Sequence, residues 1–297
     1  MRIIHISDPH LSDLDSESFW RLEGKRKLGY CSWQRRRRFI HKREILRRVT
    51  ESISRDAPDL IIISGDLVQL GKEGEIKQAR SWLDEIGKNG TSILVVPGNH
   101  DIYQADSAAH VSREWQPYLH LPNDDCESFP SVFLQNKKII IGLCSATPQP
   151  FWSARGHLGG RQLNKLETLL KKTTDYFRCV VLHHPVARDL CAGRKQLIDA
   201  ESLVNLLRKY RVEMVLHGHL HRNKEYFSGS ETRVYSISSA SSASADKPSS
   251  YRIFDIEEKE GVYTVDTSLK TGFLMGGDTV RSLSHSWAVD RTTRLKS

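Results

Sequence analysis

The feature that most constrains this chain is a set of five short, branched-apolar runs, each stopping at a polar tip. They are Arg2 to Ile6, Leu60 to Ile63, Ile93 to Val96, Cys179 to Leu182 and Val212 to Leu216. A continuous run such as Leu60-Ile61-Ile62-Ile63 reads as a strand covered on both faces. Residues 74 to 87 supply an amphipathic crossover helix through Ile76, Ala79, Trp82, Leu83 and Ile86. Open α/β sheets build their sites outside the carboxyl ends of strands. The five tips are therefore where chemistry is to be sought.

The tips are Ser7-Asp8-Pro9-His10, Ser64-Gly65-Asp66, Pro97-Gly98-Asn99-His100-Asp101, His183-His184-Pro185 and His217-Gly218-His219-Leu220-His221. Asp8 and His10 stand two apart, as do His219 and His221, so on an extended chain each pair points to one side. Any one tip taken alone is better explained as a solvated loop. Together they bring mixed nitrogen and oxygen donors in a number that exceeds one four-coordinate ion. Such a set suits two ions about 3.5–4 Å apart with one carboxylate between them. No thiolate is among the donors, which favours Mn, Fe or Zn over copper. His5, His184 and His217 flank the tips and read as packing or outer-shell residues.

Composition bounds the class. With 297 residues, 38% hydrophobic and 27% charged, the chain fits a soluble globular protein with one large core or two small ones. No run approaches the roughly eighteen apolar residues of a membrane-spanning helix. The first strand begins at Arg2, which leaves no secretory leader. The five cysteines are odd in number and share no CxxC or metal-finger spacing, so reduced structural thiols and a cytoplasmic location are expected.

The net charge of +8 is local. Between Arg21 and Arg48 stand twelve Lys and Arg against two acids, Glu23 and Glu44, leaving 32 of the 44 bases and 34 of the 36 acids elsewhere. This segment interleaves Phe19, Trp20, Tyr30, Trp33 and Phe39 with Lys25, Arg26, Lys27 and the run Arg35, Arg36, Arg37, Arg38. From residue 36 to 55 the apolar residues recur at helical spacing. One reading is an anionic-surface docking element, for lipid head groups at the inner face of a membrane or for nucleic acid. The other is a solvated helix face with a few core aromatics. Further on, Ser131–Leu134 and Lys138–Cys144 read as paired strands, and Thr147–Gly160 as a loop carrying Trp152, Arg155 and His157 over the site. Two strands around Glu258–Gly261 read as antiparallel, and beyond Thr271 the chain reads as a loose polar tail.

The ordered set D-x-H, G-D, G-N-H-[DE], H-H-P and G-H-x-H resembles the calcineurin-like metallophosphoesterases, including bacterial members of the cyclic-nucleotide phosphodiesterase type. Here it is Asp8-Pro9-His10, Gly65-Asp66, Gly98-Asn99-His100-Asp101, His183-His184-Pro185 and Gly218-His219-Leu220-His221. The resemblance spans roughly residues 2 to 256. It implies an α/β fold, a four-layer α-β-β-α sandwich with two mixed β-sheets and the metal site at strand C-terminal ends. The implied domain covers 1–270 with a basic aromatic insertion at about 14–48, and 271–297 is left as the tail. One metal would be held by Asp8, His10, Asp66 and His221, the other by Asp66, Asn99, His183 and His219. His100 would be the catalytic, non-ligand histidine facing the phosphate, oriented and charge-paired by Asp101. The family keeps two divalent ions (Mn, Fe or Zn), and the implied reaction is hydrolysis of a phosphodiester or phosphomonoester by a metal-bridging hydroxide. Two other readings stand beside it. A membrane-surface pyrophosphohydrolase acting on a nucleotide-linked lipid such as UDP-2,3-diacylglucosamine is favoured by the insertion, but those enzymes commonly carry Arg where His100 stands. A non-catalytic scaffold of the same fold, as in retromer, would have lost ligands that are present here. Nothing beyond the basic patch supports a nucleic-acid substrate; a small phosphoester is expected.

Overall fold

A computed structural model describes residues 1–11, 14, 17–122, 129–229, 231–274 and 277–290. Its strands are β1 (Arg2–Ile6), β2 (Leu60–Ile63), β3 (Ser92–Val95), β4 (Ser131–Gln135), β5 (Lys138–Gly142), β6 (Phe177–Val181), β7 (Met214–His217), β8 (Lys224–Ser228), β9 (Thr232–Ser236), β10 (Ser250–Lys259), β11 (Val262–Leu274) and β12 (Gly277–Asp290). The helices are α1 (Lys25–Ser32), α2 (Arg38–Ile40), α3 (Arg43–Asp56), α4 (Glu73–Ile86), α5 (Ala105–Leu119), α6 (Gly159–Lys172) and α7 (Ala200–Lys209), with a π-helical turn, Trp33–Arg37, joining α1 to α2.

The strands form two mixed six-stranded sheets, ordered β12-β11-β10-β1-β2-β3 and β4-β5-β6-β7-β9-β8. Alternation along each strand sorts side chains into layers. Ile4, Ile6, Ile61, Ile63, Ile93 and Val95 pack under α3, α4 and α5 with Leu46, Val49, Leu83 and Trp115. Ile3, Leu60, Ile62, Leu94 and Val96 point the other way, onto Phe177, Cys179, Val181, Met214 and Leu216 of the second sheet. Val180 and Val215 face α6 and α7 through Leu166, Leu170, Leu203 and Leu207. The result is the α-β-β-α sandwich. Both faces of the central strands are buried, which is why their sequences are unbroken apolar runs.

Register sets the site. Ile6 is level with Ile63, and Ile63 with Val95, while Val181 is level with Leu216. The tips of β1, β2, β3, β6 and β7 therefore emerge at one edge of the sandwich.

Two expectations need correction. The chain beyond Thr271 is no loose tail as far as Asp290. β11 runs on to Leu274, and β12 pairs with it from Gly277 to Asp290. Trp287 reaches the inter-sheet core, 6.2 Å from the Phe177 ring. The large residues Trp287 and Val289 alternate with Ser286 and Ala288, a period-two signal too short to stand out in a stretch otherwise rich in Ser, Arg and Asp. Residues 291–297 lie outside the described residues. The helical spacing over 36–55 is also interrupted, because the backbone is extended at His41 (φ −91°, ψ 115°) and Lys42 (φ −120°, ψ 124°) before α3 begins.

The insertion folds against the β2–α4 connection and the start of α5. Arg26 donates to the carbonyls of Leu70 (3.1 Å) and Gly71 (2.9 Å) and makes a two-pronged ion pair with Asp106. Lys72 pairs with Glu17, and Leu14, Leu22, Trp33, Leu70 and Tyr103 form a small core of their own. No helix among the described residues is long and apolar enough to cross a membrane.

Candidate dinuclear metal centre

The tip residues converge for a reason other than strand alternation. Asp8 (φ 53°), His10 (φ 46°), Asp66 (φ 54°), His219 (φ 67°) and His221 (φ 49°) all lie in the left-handed region. Each such residue costs of the order of 1–3 kcal/mol unless its surroundings over-determine it. Here they do. Asp8 N donates to Gly65 O (2.9 Å), His10 N to Asp66 O (3.1 Å) and Leu11 N to Leu67 O (2.6 Å). His100 N donates to Asp66 Oδ1 (2.7 Å) and His219 N to Asp8 Oδ2 (3.1 Å). The paired spacing in D-x-H and H-x-H thus works through two left-handed residues flanking one ordinary one. Glycine is obligatory at two points. A Cβ on Gly98 would stand 2.3 Å from Asp66 Oδ1, and one on Gly218 would stand 1.9 Å from Ser7 Oγ.

Donor atoms gather in overlapping groups. Asp8, His10 and Asp66 bring theirs within 4.8 Å of one another, and so do Asp66, His183 and His219. Asp66 belongs to both. His183 Nε2 is 3.3 Å from Asp66 Oδ2, and His221 Nε2 is 3.0 Å from Asp8 Oδ1 and 3.4 Å from His10 Nε2. Asn99 Oδ1 and His219 Nε2 are buried without a hydrogen-bond partner among the described residues. Outer contacts fix the rings: His10 Nδ1 faces Val68 O (3.3 Å) and His183 Nδ1 faces Ser64 O (2.7 Å). A carbonyl behind an imidazole leaves the far nitrogen as a lone pair for a metal. Electrostatics agree. Burial pushes His10 and His219 well below their ordinary values, so both are neutral. Burial opposes ionisation of Asp66, yet His183 outweighs it and holds this carboxyl well below its usual range. His183 rises to about 9: burial works against the proton and Asp66 overcomes it. Neutral His10 and His219, an ionised Asp66 and the orphaned donors fit two divalent cations sharing Asp66, and an ion there would displace the proton that Asp66 holds on His183.

His100 lies beside this cluster but is not paired with Asp101. The Asp101 carboxylate accepts from Gly98 N (2.8 Å) and Val68 N (3.0 Å), so it shapes the loop that carries Asn99 and His100. Burial, then Asp66, pushes its pKa up to about 8. The His100 ring is set instead by Gln69 O, 2.6 Å from Nδ1, by Arg37, whose Nη1 is 2.7 Å from Nε2, and by the Tyr103 ring stacked at 5.6 Å. Burial and then Arg37 lower His100 to about 3. His100 is neutral, and the cation at this position is Arg37.

Arg37 therefore separates from its neighbours in the run Arg35 to Arg38. Arg35 and Arg36 are exposed, Arg38 bonds Gln34 and leans on Trp33, and Arg37 turns inward. Sequence reasoning assigned all four to an outer surface and missed His41, whose ring lies 4.2 Å from that of His10, tilted by 53°. The sequence carries no signal for either: the π-helical turn Trp33–Arg37 and the extended residues His41 and Lys42 that place them are features of the fold. His5, His184 and His217 stand outside the cluster, on Ser64 (2.8 Å), Ser145 (2.8 Å) and Tyr226 (2.9 Å).

Comparison with known proteins bears on the same residues. A family model described as calcineurin-like phosphoesterase matches residues 1–223. Relatives include a "Probable cyclic nucleotide phosphodiesterase" of Vesicomyosocius okutanii, 27% identical over 184 residues, 61% of this chain and 70% of that one. Another is a "cAMP/cGMP dual specificity phosphodiesterase" of Mycobacterium tuberculosis, 26% identical over 222 residues, 74% of this chain and 61% of that one. Among solved structures, a dimetal phosphatase from Danio rerio aligns with a TM-score of 0.65 at 14% identity, covering 96% of this chain and 98% of its own. A purple acid phosphatase from yellow lupin aligns with a TM-score of 0.60 at 13% identity, covering 98% of this chain and 53% of its own. These last two are likenesses of fold. Since the matched region holds all five tips, the chain belongs to the calcineurin-like phosphoesterase family.

Proposed function

We propose that this protein is a metal-dependent phosphodiesterase acting on a small phosphodiester of the cyclic-nucleotide kind. The observation that carries the reading is the pair of donor groups joined at Asp66, Asp8-His10-Asp66 and Asp66-His183-His219. Asp8, His10, Asp66 and His221 would hold one divalent ion, and Asp66, Asn99, His183 and His219 the other. When bound, two such ions acidify water toward neutrality and offset charge on phosphate oxygens. Everything else falls to the chain. Arg37 is a permanent cation with a planar fork of donors suited to a phosphoryl oxygen. His100 accepts from Arg37 through Nε2 while Gln69 holds its Nδ1 proton, so His100 positions the arginine rather than acting as an acid. Lys25, over the Tyr103 ring at 4.1 Å, adds a second positive group near the same face.

The test is hydrolysis of bis(p-nitrophenyl) phosphate, p-nitrophenyl phosphate and cAMP with added Mn, on wild type and Asp66→Asn. Turnover of the diesters above the monoester, lost by at least roughly 100-fold in the variant, is the expected result. Equal activity in Asp66→Asn would overturn the reading.

A second reading, activity at an anionic membrane surface on a lipid-linked pyrophosphate, is favoured by one observation. The basic insertion leaves Trp20, Leu28 and Phe39 exposed at 83%, 52% and 59%. Sedimentation with anionic vesicles is expected to recover the wild type and to lose Arg35→Ser/Arg36→Ser, with binding weakened by salt. Binding that ignores both salt and these arginines would remove it.

A further inference from the structure

One imidazole faces the candidate metal donors from outside the five tips and outside the family's motifs. We infer that His41 is an additional ligand of the ion that Asp8, His10, Asp66 and His221 would hold, so that the insertion completes that ion's coordination. The inference rests on the metal-dependent reading above.

Position comes first. Ring nitrogens of His10, His41 and His221 lie within 4.8 Å of one another, the spacing also found for the two donor groups that share Asp66. The His41 ring centroid is 4.2 Å from that of His10 and 5.6 Å from that of His221. The backbone fixes the residue. His41 N donates to Arg37 O (2.9 Å), Lys42 N to Ser241 O (2.9 Å) and Ala243 N to Ile40 O (2.7 Å), and His41 bridges Ser242 in antiparallel fashion. The extended break between α2 and α3 is thus clamped onto residues 241–243.

The tautomer follows from the hydrogen bonds. His41 Nδ1 stands 3.0 Å from Ser241 Oγ and 3.2 Å from Ser239 Oγ. Ser239 Oγ gives its proton to Asp8 O, 2.7 Å away, and so can only accept from His41. With Nδ1 donating to Ser239 Oγ, Nε2 keeps the lone pair. This is the arrangement by which outer contacts prepare a metal-binding histidine. The same serine ties His41 to the backbone of Asp8, joining the insertion to the first tip. Imidazole is an acceptable donor for Mn, Fe and Zn alike.

The test is calorimetric titration of metal-depleted protein with Mn(II), together with the visible absorption of the Co(II)-loaded form, on wild type, His41→Asn and His41→Gln. The asparagine amide can keep the serine contacts while removing Nε2. The glutamine amide can place an oxygen close to where Nε2 lay. In His41→Asn one of two binding steps is expected to weaken roughly 10- to 100-fold, with the other unchanged and the Co(II) band shifted. His41→Gln should lose less. Both steps at wild-type strength in His41→Asn, with an unshifted Co(II) band, would overturn the inference alone. So would a raised KM with unchanged metal affinity, which would put His41 on the substrate instead. A wild type that takes up no ion would overturn both this inference and the reading beneath it.

Discussion

The strand tips and the helical part of the insertion, which carries Arg37, meet at one cluster but are held there by different means. The tips are set by main chain: left-handed residues, a glycine pressed against Asp66, and backbone N–H groups bonded to carboxylates. Arg37 comes from a helical segment pinned largely by side chains, through Arg26, the Glu17–Lys72 pair and the Trp33–Tyr103 core. A main-chain cradle tolerates little change, because moving one donor moves the peptide units that carry others. A segment pinned by side chains can be rewritten while the sheet behind it stays intact. The tips therefore define where a phosphoryl group would sit, and the insertion governs what surrounds it.

The hardest blow to the cradle is Gly98→Ala. Its Cβ would meet Asp66 Oδ1 at 2.3 Å and Asp66 N at 2.4 Å, so the shared carboxylate must move. Diester hydrolysis should fall by roughly 100-fold or more, as a misplacement near 1 Å commonly does. Metal retained after dialysis should fall with it, and overpacking should cost about 1–3 kcal/mol in thermal unfolding. Full metal content in this variant would mean that the cradle is softer than the insertion, reversing the contrast.

Arg37→Ala sharpens the contrast from the other side. Turnover should drop about 100-fold, the scale of losing one preorganised donor to a phosphoryl oxygen, with metal content unchanged. Arg37→Lys should recover only part, being a point charge without the fork. Parallel loss of metal in Arg37→Ala would make Arg37 itself part of the cradle.

The smallest effect on turnover concerns the link between the two regions. Glu75 accepts from the backbone N–H groups of Gln69 (3.1 Å), Leu70 (3.0 Å) and Lys72 (3.2 Å), bracing the connection that carries Gln69. Burial pushes its pKa up from 4.5 to about 7 despite those bonds. With the folded value raised, its stabilising contribution is complete below the unfolded value and is lost as pH rises through about 7. The loss is at most roughly 3 kcal/mol. Wild type should therefore lose more thermal stability between pH 5 and pH 8 than Glu75→Gln, whose amide does not titrate there. Superimposable pH profiles would show that Glu75 carries no such strain.

Much of the frame was legible in the sequence because burial on both faces forces a strand into an unbroken apolar run. Leu60–Ile63 and Ile93–Val96 announce both their conformation and their depth. The tips were legible as residue types, since a convergence of Asp, Asn and His has few uses. Their geometry was not, because nothing in Asp8-Pro9-His10 declares two left-handed residues. Arg37 was hidden inside a run of four identical residues, where only the π-helical turn selects which one points inward. Asp101 was misread for a related reason: adjacency to His100 in sequence suggested a pair, but the tight turn sends its carboxylate to Gly98 N and Val68 N. β12 escaped notice because its buried face amounts to little more than Trp287 and Val289.

The pairing of β10 with β1 has a consequence for how the molecule is made. Arg2 lies opposite Asp255, so the strand carrying the first metal-donor tip finds its antiparallel neighbour some 253 residues later. At about 5–20 residues per second of synthesis, that is a wait of roughly 13–50 s. Until then one side of β1 is an open edge, with unpaired backbone groups available to any passing strand. A nascent chain arrested before Ser250 would carry all five tips and still lack the neighbour that closes this edge. Such a chain presents β1 as an open edge to any strand that meets it on the ribosome.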